Sequence, residues 1–272
     1  MRTVRAAAEH ARALGVDRLD AQLLLAHVLQ RERTWIIAHD DATLDPLQAE
    51  SLRELAARRA AGTPLAQLVG GREFRGLWIA VTGDVLVPRP ETELLVERAL
   101  AALQDRGSGA RLLDLGTGSG AIALAVKAAR ADTLVAASDR EATALAVARA
   151  NAARLGLEIE FRAGSWWDPW RDCRFDIVVA NPPYIAAQDP HLAALVHEPA
   201  AALIGGADGL DALRAIVQDA PRHLEGAGWL LLEHGQDQAD AVRTLLLSRG
   251  LRAVRTWRDL SGAERATGGR RM

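Results

Sequence analysis

The chain carries one cysteine, Cys173, in 272 residues. A single thiol excludes an intrachain disulfide and any zinc site built on cysteines. Seven histidines are scattered without the HExxH spacing, so no metal site is expected. No stretch approaches the roughly 20 apolar residues that cross a bilayer. The N-terminus, MRTVRAAAEHARALG, is charged throughout and has no apolar core followed by a cleavage site. A soluble cytoplasmic protein is the expectation. A basic surplus is missing too: the formal net charge is -2. Proteins whose main partner is duplex DNA draw much of their affinity from neutralising phosphates, so no direct nucleic-acid binding is expected. There are no internal repeats and no low-complexity tail.

What remains is a chain long enough for one large domain plus a small one. Residues 1 to about 62 are rich in Ala, Leu and Arg and lack strand-like runs. Leu14, Leu19, Leu23, Leu24, Val28 and Leu29 recur at spacings that suit amphipathic helices. Gly15 reads as a helix stop, Asp17 as a cap, and Asp45-Pro46 as the start of a helix running to about Ala61. A bundle of about four helices is expected. From Gly71 the character changes. Glu73 to Val81 followed by Thr82-Gly83-Asp84 and Val85-Leu86-Val87 reads as a β-hairpin, stopped by Pro88-Arg89-Pro90. Thr92 or its acidic neighbours start a helix over Leu94 to Leu103.

After that, strands and helices alternate. Strands are expected at Arg111 to Leu115, Thr133 to Ser138, Glu158 to Arg162, Phe175 to Ala180, Trp229 to Glu233 and Leu251 to Trp257. Helices are expected at Ala121 to Arg130, Glu141 to Leu155, Asp211 to Leu224 and Asp237 to Ser248. The pattern predicts an α/β fold, an open and mostly parallel Rossmann-like sheet covered on both faces. Ligands of such sheets bind beyond the carboxyl ends of the strands, where the strand order switches.

Asp114-Leu115-Gly116-Thr117-Gly118-Ser119-Gly120 lies at one such end. Glycines there permit a tight turn and close approach of backbone to ligand. Gly116, Gly118 and Ala121 satisfy the dinucleotide fingerprint GxGxxA, and Asp139 after the second strand can hold ribose hydroxyls. NAD and S-adenosylmethionine both suit this pattern. The glycine at Gly120 and the acidic Asp114 before the loop lean towards the methyl donor, whose amino-acid portion is charged.

Asn181-Pro182-Pro183-Tyr184 follows the strand Phe175 to Ala180. Neither proline can donate to a ladder, so the loop is rigid and Asn181 is held at the rim. A planar amide or aromatic amine nitrogen is a poor nucleophile because its lone pair is delocalised. The Asn181 side-chain oxygen and the Pro182 carbonyl can each accept one of its N–H bonds, which points the nitrogen at the methyl group. The Tyr184 ring can pack on the substrate's flat face. Positioning rather than base catalysis supplies the acceleration. Trp166 and Trp167, after the third strand, lie where an adenine could be contacted. Trp78, Trp170, Trp229 and Trp257 read as core, His191, His197 and His234 as surface or satisfied core, and Cys173 as inert.

Together these residues resemble the release-factor glutamine methyltransferase family (PrmC, also called HemK). The resemblance covers nearly the whole chain: Pro64 to Leu68, Gly71-Arg72-Glu73-Phe74-Arg75-Gly76-Leu77, and Val85-Leu86-Val87-Pro88-Arg89-Pro90-Glu91-Thr92-Glu93. It continues through Asp114 to Gly120, Asn181 to Ile185, Glu198-Pro199, Gly205 to Leu210 and Asp259 to Gly262. NPPY alone is shared with many amino-methyltransferases; PRPETE preceded by EFRGL is far more discriminating. Gln67, where the family more often has an aromatic residue, is a departure outside the site.

The resemblance implies a helical domain over 1–70 for substrate recognition, a hairpin linker over 71–90 and a methyltransferase domain over 91–272. It implies methyl transfer from S-adenosylmethionine to the N5 side-chain amide of glutamine in the Gly-Gly-Gln motif of class I peptide-chain release factors. Gly116 to Gly120, Asp139 and Trp166 (or Trp167) would then bind the cofactor, with Asn181 at the junction. Asn181, Pro182, Pro183 and Tyr184 would hold the glutamine. The rival expectations are an N6-adenine DNA or guanine RNA methyltransferase, which would call for a basic groove or a recognition insertion, an NAD-dependent oxidoreductase, which leaves NPPY without a purpose, and a non-catalytic binding module.

Overall fold

The computed structural model describes residues 1–272 and divides into two compact units, Met1–Arg72 and Glu73–Met272. No helix is long and apolar enough to cross a membrane.

The first unit is helical: α1 (Val4–Ala13), α2 (Arg18–Leu29), α3 (Arg33–Ala38), α4 (Pro46–Ala60) and the short α5 (Leu65–Leu68). The starts are written in side chains. Asp17 accepts from the Asp20 amide, and Asp45 and Gln48 form a reciprocal capping box with Pro46 at the first helical position. Ala21, Leu24 and Leu25 of α2 pack with Val4, Ala7, Ala11, Leu52 and Ala56. Leu14 and Leu19, read above as part of the apolar stripe, are exposed; they flank the turn at Gly15 rather than sharing a helix face.

A two-stranded hairpin, β1 (Gly71–Phe74) and β2 (Leu77–Ala80), follows. Its turn is Arg75-Gly76, both residues with positive φ (52° and 78°), the backbone that matches strand twist in a two-residue turn. This corrects the expected hairpin, in which Gly83 made the turn and Val85 to Val87 the second strand. Val85 and Val87 are buried, but in a loop. The real signal was Gly76.

A turn of 3-10 helix (Pro90–Thr92) leads into α6 (Glu93–Gln104), and the α/β pattern begins: β3 (Arg111–Leu115), α7 (Ala121–Ala129), β4 (Leu134–Asp139), α8 (Ala142–Leu155), β5 (Glu160–Ala163) and β6 (Phe175–Ala180). Then come α9 (Ala200–Leu203), α10 (Asp211–His223), β7 (Leu224–Glu233), α11 (Ala239–Ser248), β8 (Arg252–Arg258) and β9 (Glu264–Arg270). The seven-stranded sheet has the order β5-β4-β3-β6-β7-β9-β8. Strands β3 to β7 run parallel, and β9 lies antiparallel between β7 and β8.

Alternation along the strands divides the interior into two layers. Leu112, Ile177, Val179 and Leu231 face α6 and α7, whereas Leu113, Leu115, Val178, Leu230 and Leu232 face α10 and α11. Of the tryptophans assigned to the core, Trp170 is fully buried, Trp229 and Trp257 pack against it in part, and Trp78 is 48% exposed.

Strand β9 has no counterpart among the expected strands. Ala266-Thr267-Gly268-Gly269 offers no apolar alternation, and glycines usually weaken a strand. Here they serve close packing: a Cβ on Gly268 would lie 2.6 Å from Leu231 Cδ2 and 2.9 Å from the Leu230 carbonyl oxygen. Gly268→Ala is therefore expected to cost about 1–3 kcal/mol of stability through overpacking, read as a lower urea midpoint; an unchanged midpoint would contradict the close fit.

Candidate active site

Strand order reverses between β3 and β6, whose last paired residues are Leu115 and Ala180. Leu115 also pairs with Ser138 of β4. The loops after these three strands therefore open on one edge, around a cleft. Its lining includes Gly116, Gly118, Asp139, Trp166, Asn181 and Pro182. Sites in this position suit small-molecule ligands.

The glycine loop is held from within. The Gly116 and Thr117 amides donate to the Ser138 carbonyl (2.9 and 3.0 Å), and the Gly120 amide to that of Thr117. The Gly118 amide donates to Asp139 Oδ2 at 2.9 Å, while Oδ1 accepts from the Glu141 amide. These four N–H groups are engaged inside the protein, which holds the loop's shape. Asp139 keeps unused acceptor directions, since a carboxylate offers about four. Asn151, fully buried on α8, donates to the Ser119 and Ala80 carbonyls and accepts from the Ala80 amide, which ties the loop to β2.

Of the residues singled out, Gly116, Thr117, Gly118, Ser119, Asp139, Trp166, Asn181, Pro182 and Pro183 line the cleft. Gly120 does not. A Cβ there would sit 3.1–3.3 Å from Leu124 and Ala148, so this glycine lets α7 approach α8. Asp114, read above as facing a charged ligand, is fully buried, with Oδ2 accepting from Thr117 Oγ1 (2.7 Å) and the Ala123 amide. It braces the loop. Burial pushes its pKa up to about 7 against those bonds.

The two adjacent tryptophans part company. Trp166, in a left-handed conformation (φ 42°), lines the cleft; its ring leaves 3.3 Å to where a Gly116 side chain would begin. Trp167 is buried, donates to the Ile216 carbonyl at 3.0 Å and stacks on His223.

Beyond β6 the chain leaves the ladder after Ala180. Asn181 Nδ2 donates to Thr92 Oγ1 at 3.1 Å, so the carboxamide oxygen is the end that Thr92 does not hold. Tyr184 lies outside the cleft lining: its ring packs on the buried layer beneath, and its hydroxyl points at Glu233 Oε1, 3.5 Å away. Burial, first, and the neighbouring Glu233 raise its pKa. The loop's backbone is clamped by residues 203–209. The Ile185 amide donates to Leu203, the Gly205 amide to Ile185, and Gln238 Nε2 to the Tyr184 carbonyl. A Cβ on Gly205 would lie 2.4 Å from the Pro183 oxygen, so only glycine fits.

Residues 84–89 and 199–202 form the cleft's other wall. Buried Glu198 accepts from the Val87 amide at 3.0 Å and pairs with Arg89. Motif reading singled out neither Glu198, Gln238 nor Glu233, although the resemblance ran through Glu198. His191 is exposed beside Asp189, and His234 is buried with Nε2 on Thr267.

With fold and cleft described, comparison with known proteins becomes informative. The profile of the methyltransferase small domain matches residues 90–256, and that of the PrmC N-terminal domain residues 4–70. The release factor glutamine methyltransferase of Bordetella pertussis is 52% identical over 94% of this chain and 95% of its own. The chain belongs to the release factor glutamine methyltransferase family. A Burkholderia pseudomallei protein of the same name is 50% identical over 97% of this chain and 95% of its own. Among solved structures, a methyltransferase from Pyrococcus furiosus superposes with a TM-score of 0.54 at 17% identity, covering 72% of this chain and 89% of that one. A T. thermophilus 16S rRNA methyltransferase in complex with AdoMet and guanosine gives 0.54 at 21%, covering 74% and 50%. These two likenesses concern the fold.

Asp114 yields a pH prediction. Its folded pKa of about 7 lies above the ordinary 3.8, so between roughly pH 4 and 7 the folded state binds more protons than the unfolded, and stability falls as pH rises. Asp114→Asn should therefore gain stability relative to the parent from pH 4.5 to 7.5 in urea unfolding. A parallel pH dependence of the two proteins would contradict this.

Proposed function

We propose that this chain transfers a methyl group from S-adenosylmethionine to the side-chain amide nitrogen (N5) of the glutamine in the Gly-Gly-Gln motif of class I release factors. The observation that supports it most is the Asn181 carboxamide: its nitrogen is committed to Thr92 and its oxygen is left as an acceptor beside the cleft. An acceptor there suits a substrate that brings N–H groups. The names of the relatives point to the same glutamine.

The residues present fit the cofactor. Asp139 keeps acceptor sites for ribose hydroxyls, Trp166 offers a flat apolar wall, and Gly116 and Gly118 let the backbone approach closely. When bound, S-adenosylmethionine supplies an electrophilic methyl group on a sulfonium sulfur.

Asn181 Oδ1 and the Pro182 carbonyl would each accept one N–H of the glutamine amide and so fix its plane. The prolines keep that pair from drifting, and Tyr184 and residues 203–209 brace the loop from behind. On transfer the amide nitrogen would bond the methyl carbon as the methyl–sulfur bond breaks to leave a neutral thioether, and one amide proton would pass to solvent. Orientation within such a wall is worth several powers of ten in rate. The helical unit, residues 1–70, is proposed to recognise the release factor.

Labelled methyl donor incubated in parallel with release factor, free glutamine and nucleic acid tests the proposal. Label in the release factor is expected; label in nucleic acid alone would overturn it. Asn181→Ala should lower kcat by about 10²–10³-fold while the Kd for S-adenosylmethionine stays within about threefold, whereas Asp139→Ala should raise that Kd. Equal loss of binding and turnover in Asn181→Ala would contradict its assignment.

A further inference from the structure

Thr92, read in the sequence only as a helix start, and Glu233 are buried polar residues close to Asn181. Thr92, 4% exposed, is 89 residues away from Asn181 in sequence, and it accepts the Asn181 Nδ2 hydrogen at 3.1 Å. Glu233 ends β7, one position beyond the Leu232 that pairs with Ala180, so it stands level with Asn181 on the neighbouring strand. It is 2% exposed, and the Tyr184 hydroxyl points at its Oε1 from 3.5 Å. The nearest charges are Arg265 and Glu91.

A hydroxyl has one hydrogen. Thr92 Oγ1 accepts from Asn181, so its own hydrogen points elsewhere and the carboxamide end that faces it is the donor. For a carboxamide, that settles which end points where. Asn181 turns Nδ2 inward and Oδ1 outward. The opposite orientation would set an N–H against the substrate's own N–H bonds.

We propose that Thr92 is a positioning residue that fixes the Asn181 carboxamide with its oxygen towards the substrate amide. This rests on the reading of Asn181 as the acceptor for the substrate glutamine. The Thr92 oxygen accepts, and the Asn181 amide nitrogen is held. Glu233 has a second oxygen without a partner, and burial raises its pKa.

The test compares Thr92→Val, which keeps the shape and removes the hydroxyl, with Thr92→Ser, which keeps the hydroxyl. Release-factor methylation and S-adenosylmethionine affinity are measured on each, with Asn181→Ala alongside. Thr92→Val is expected to lower kcat on the order of 10- to 100-fold, with cofactor Kd unchanged and Thr92→Ser within about threefold of the parent. In a Thr92→Val, Asn181→Ala double variant the losses should not add, because both remove the same contact.

Full turnover in Thr92→Val, equal loss in Thr92→Ser, or additive losses would each overturn the proposal. Should Thr92→Val fail to fold, Thr92→Ala supplies the same comparison. Normal turnover in Asn181→Ala would instead sink the reading of Asn181 itself, so the two failures are told apart.

Discussion

The parallel pairing of β3 with β6 is the constraint on which the site depends. With Leu115 opposite Ala180, the chain must leave both strands at one level. The glycine loop and the Asn-Pro-Pro-Tyr loop are thereby set side by side, although some sixty residues separate them in sequence. Helices turn back on opposite faces at this point, so nothing fills the gap between the strand ends. One loop is drawn in by the Ser138 carbonyl and Asp139, the other by residues 203–209 and Gln238. Each loop is rigid for its own reason, and the cleft is what lies between them.

Buried polar groups do much of the bracing. Asp114 holds the start of α7, Asn151 ties the glycine loop to β2, and Glu198 joins the segment before α6 to the one before α9. Each replaces water with a small set of directed bonds, and two of the carboxyl groups, Asp114 and Glu233, are driven by burial towards neutrality near pH 7. An apolar residue in those places would pack as well. It would not fix the direction of a loop amide or a neighbouring carboxamide.

Local chemistry made much of this legible in the sequence. Caps at Asp17 and Asp45, the strand Phe175 to Ala180 and the glycine loop announce themselves through nearby residues. What escaped depends on distant ones. Strand β9 is glycine-rich because Leu231 leaves no room for a side chain, and that neighbour cannot be seen along the chain. The hairpin turn was placed at Gly83 instead of Gly76 because both are glycines beside polar residues; only the left-handed Arg75 decides. Asp114 looked ligand-facing because acidic residues before such loops are noticed for charge, whereas its burial is set by packing. Thr92 could be read as the start of a helix, but its hydroxyl acquires meaning only when β6 brings Asn181 to it. Trp166 and Trp167 were indistinguishable until the backbone turned one outward and stacked the other on His223.

On the proposed reading, the oxygen of the Asn181 carboxamide faces the substrate because its nitrogen is held by Thr92. A crystal structure with S-adenosylhomocysteine and a Gly-Gly-Gln peptide measures this most directly. The account predicts the glutamine amide nitrogen within hydrogen-bonding distance of Asn181 Oδ1, with Nδ2 still on Thr92. A glutamine side chain bound away from Asn181, or an Asn181 turned with Nδ2 into the cleft, would contradict it.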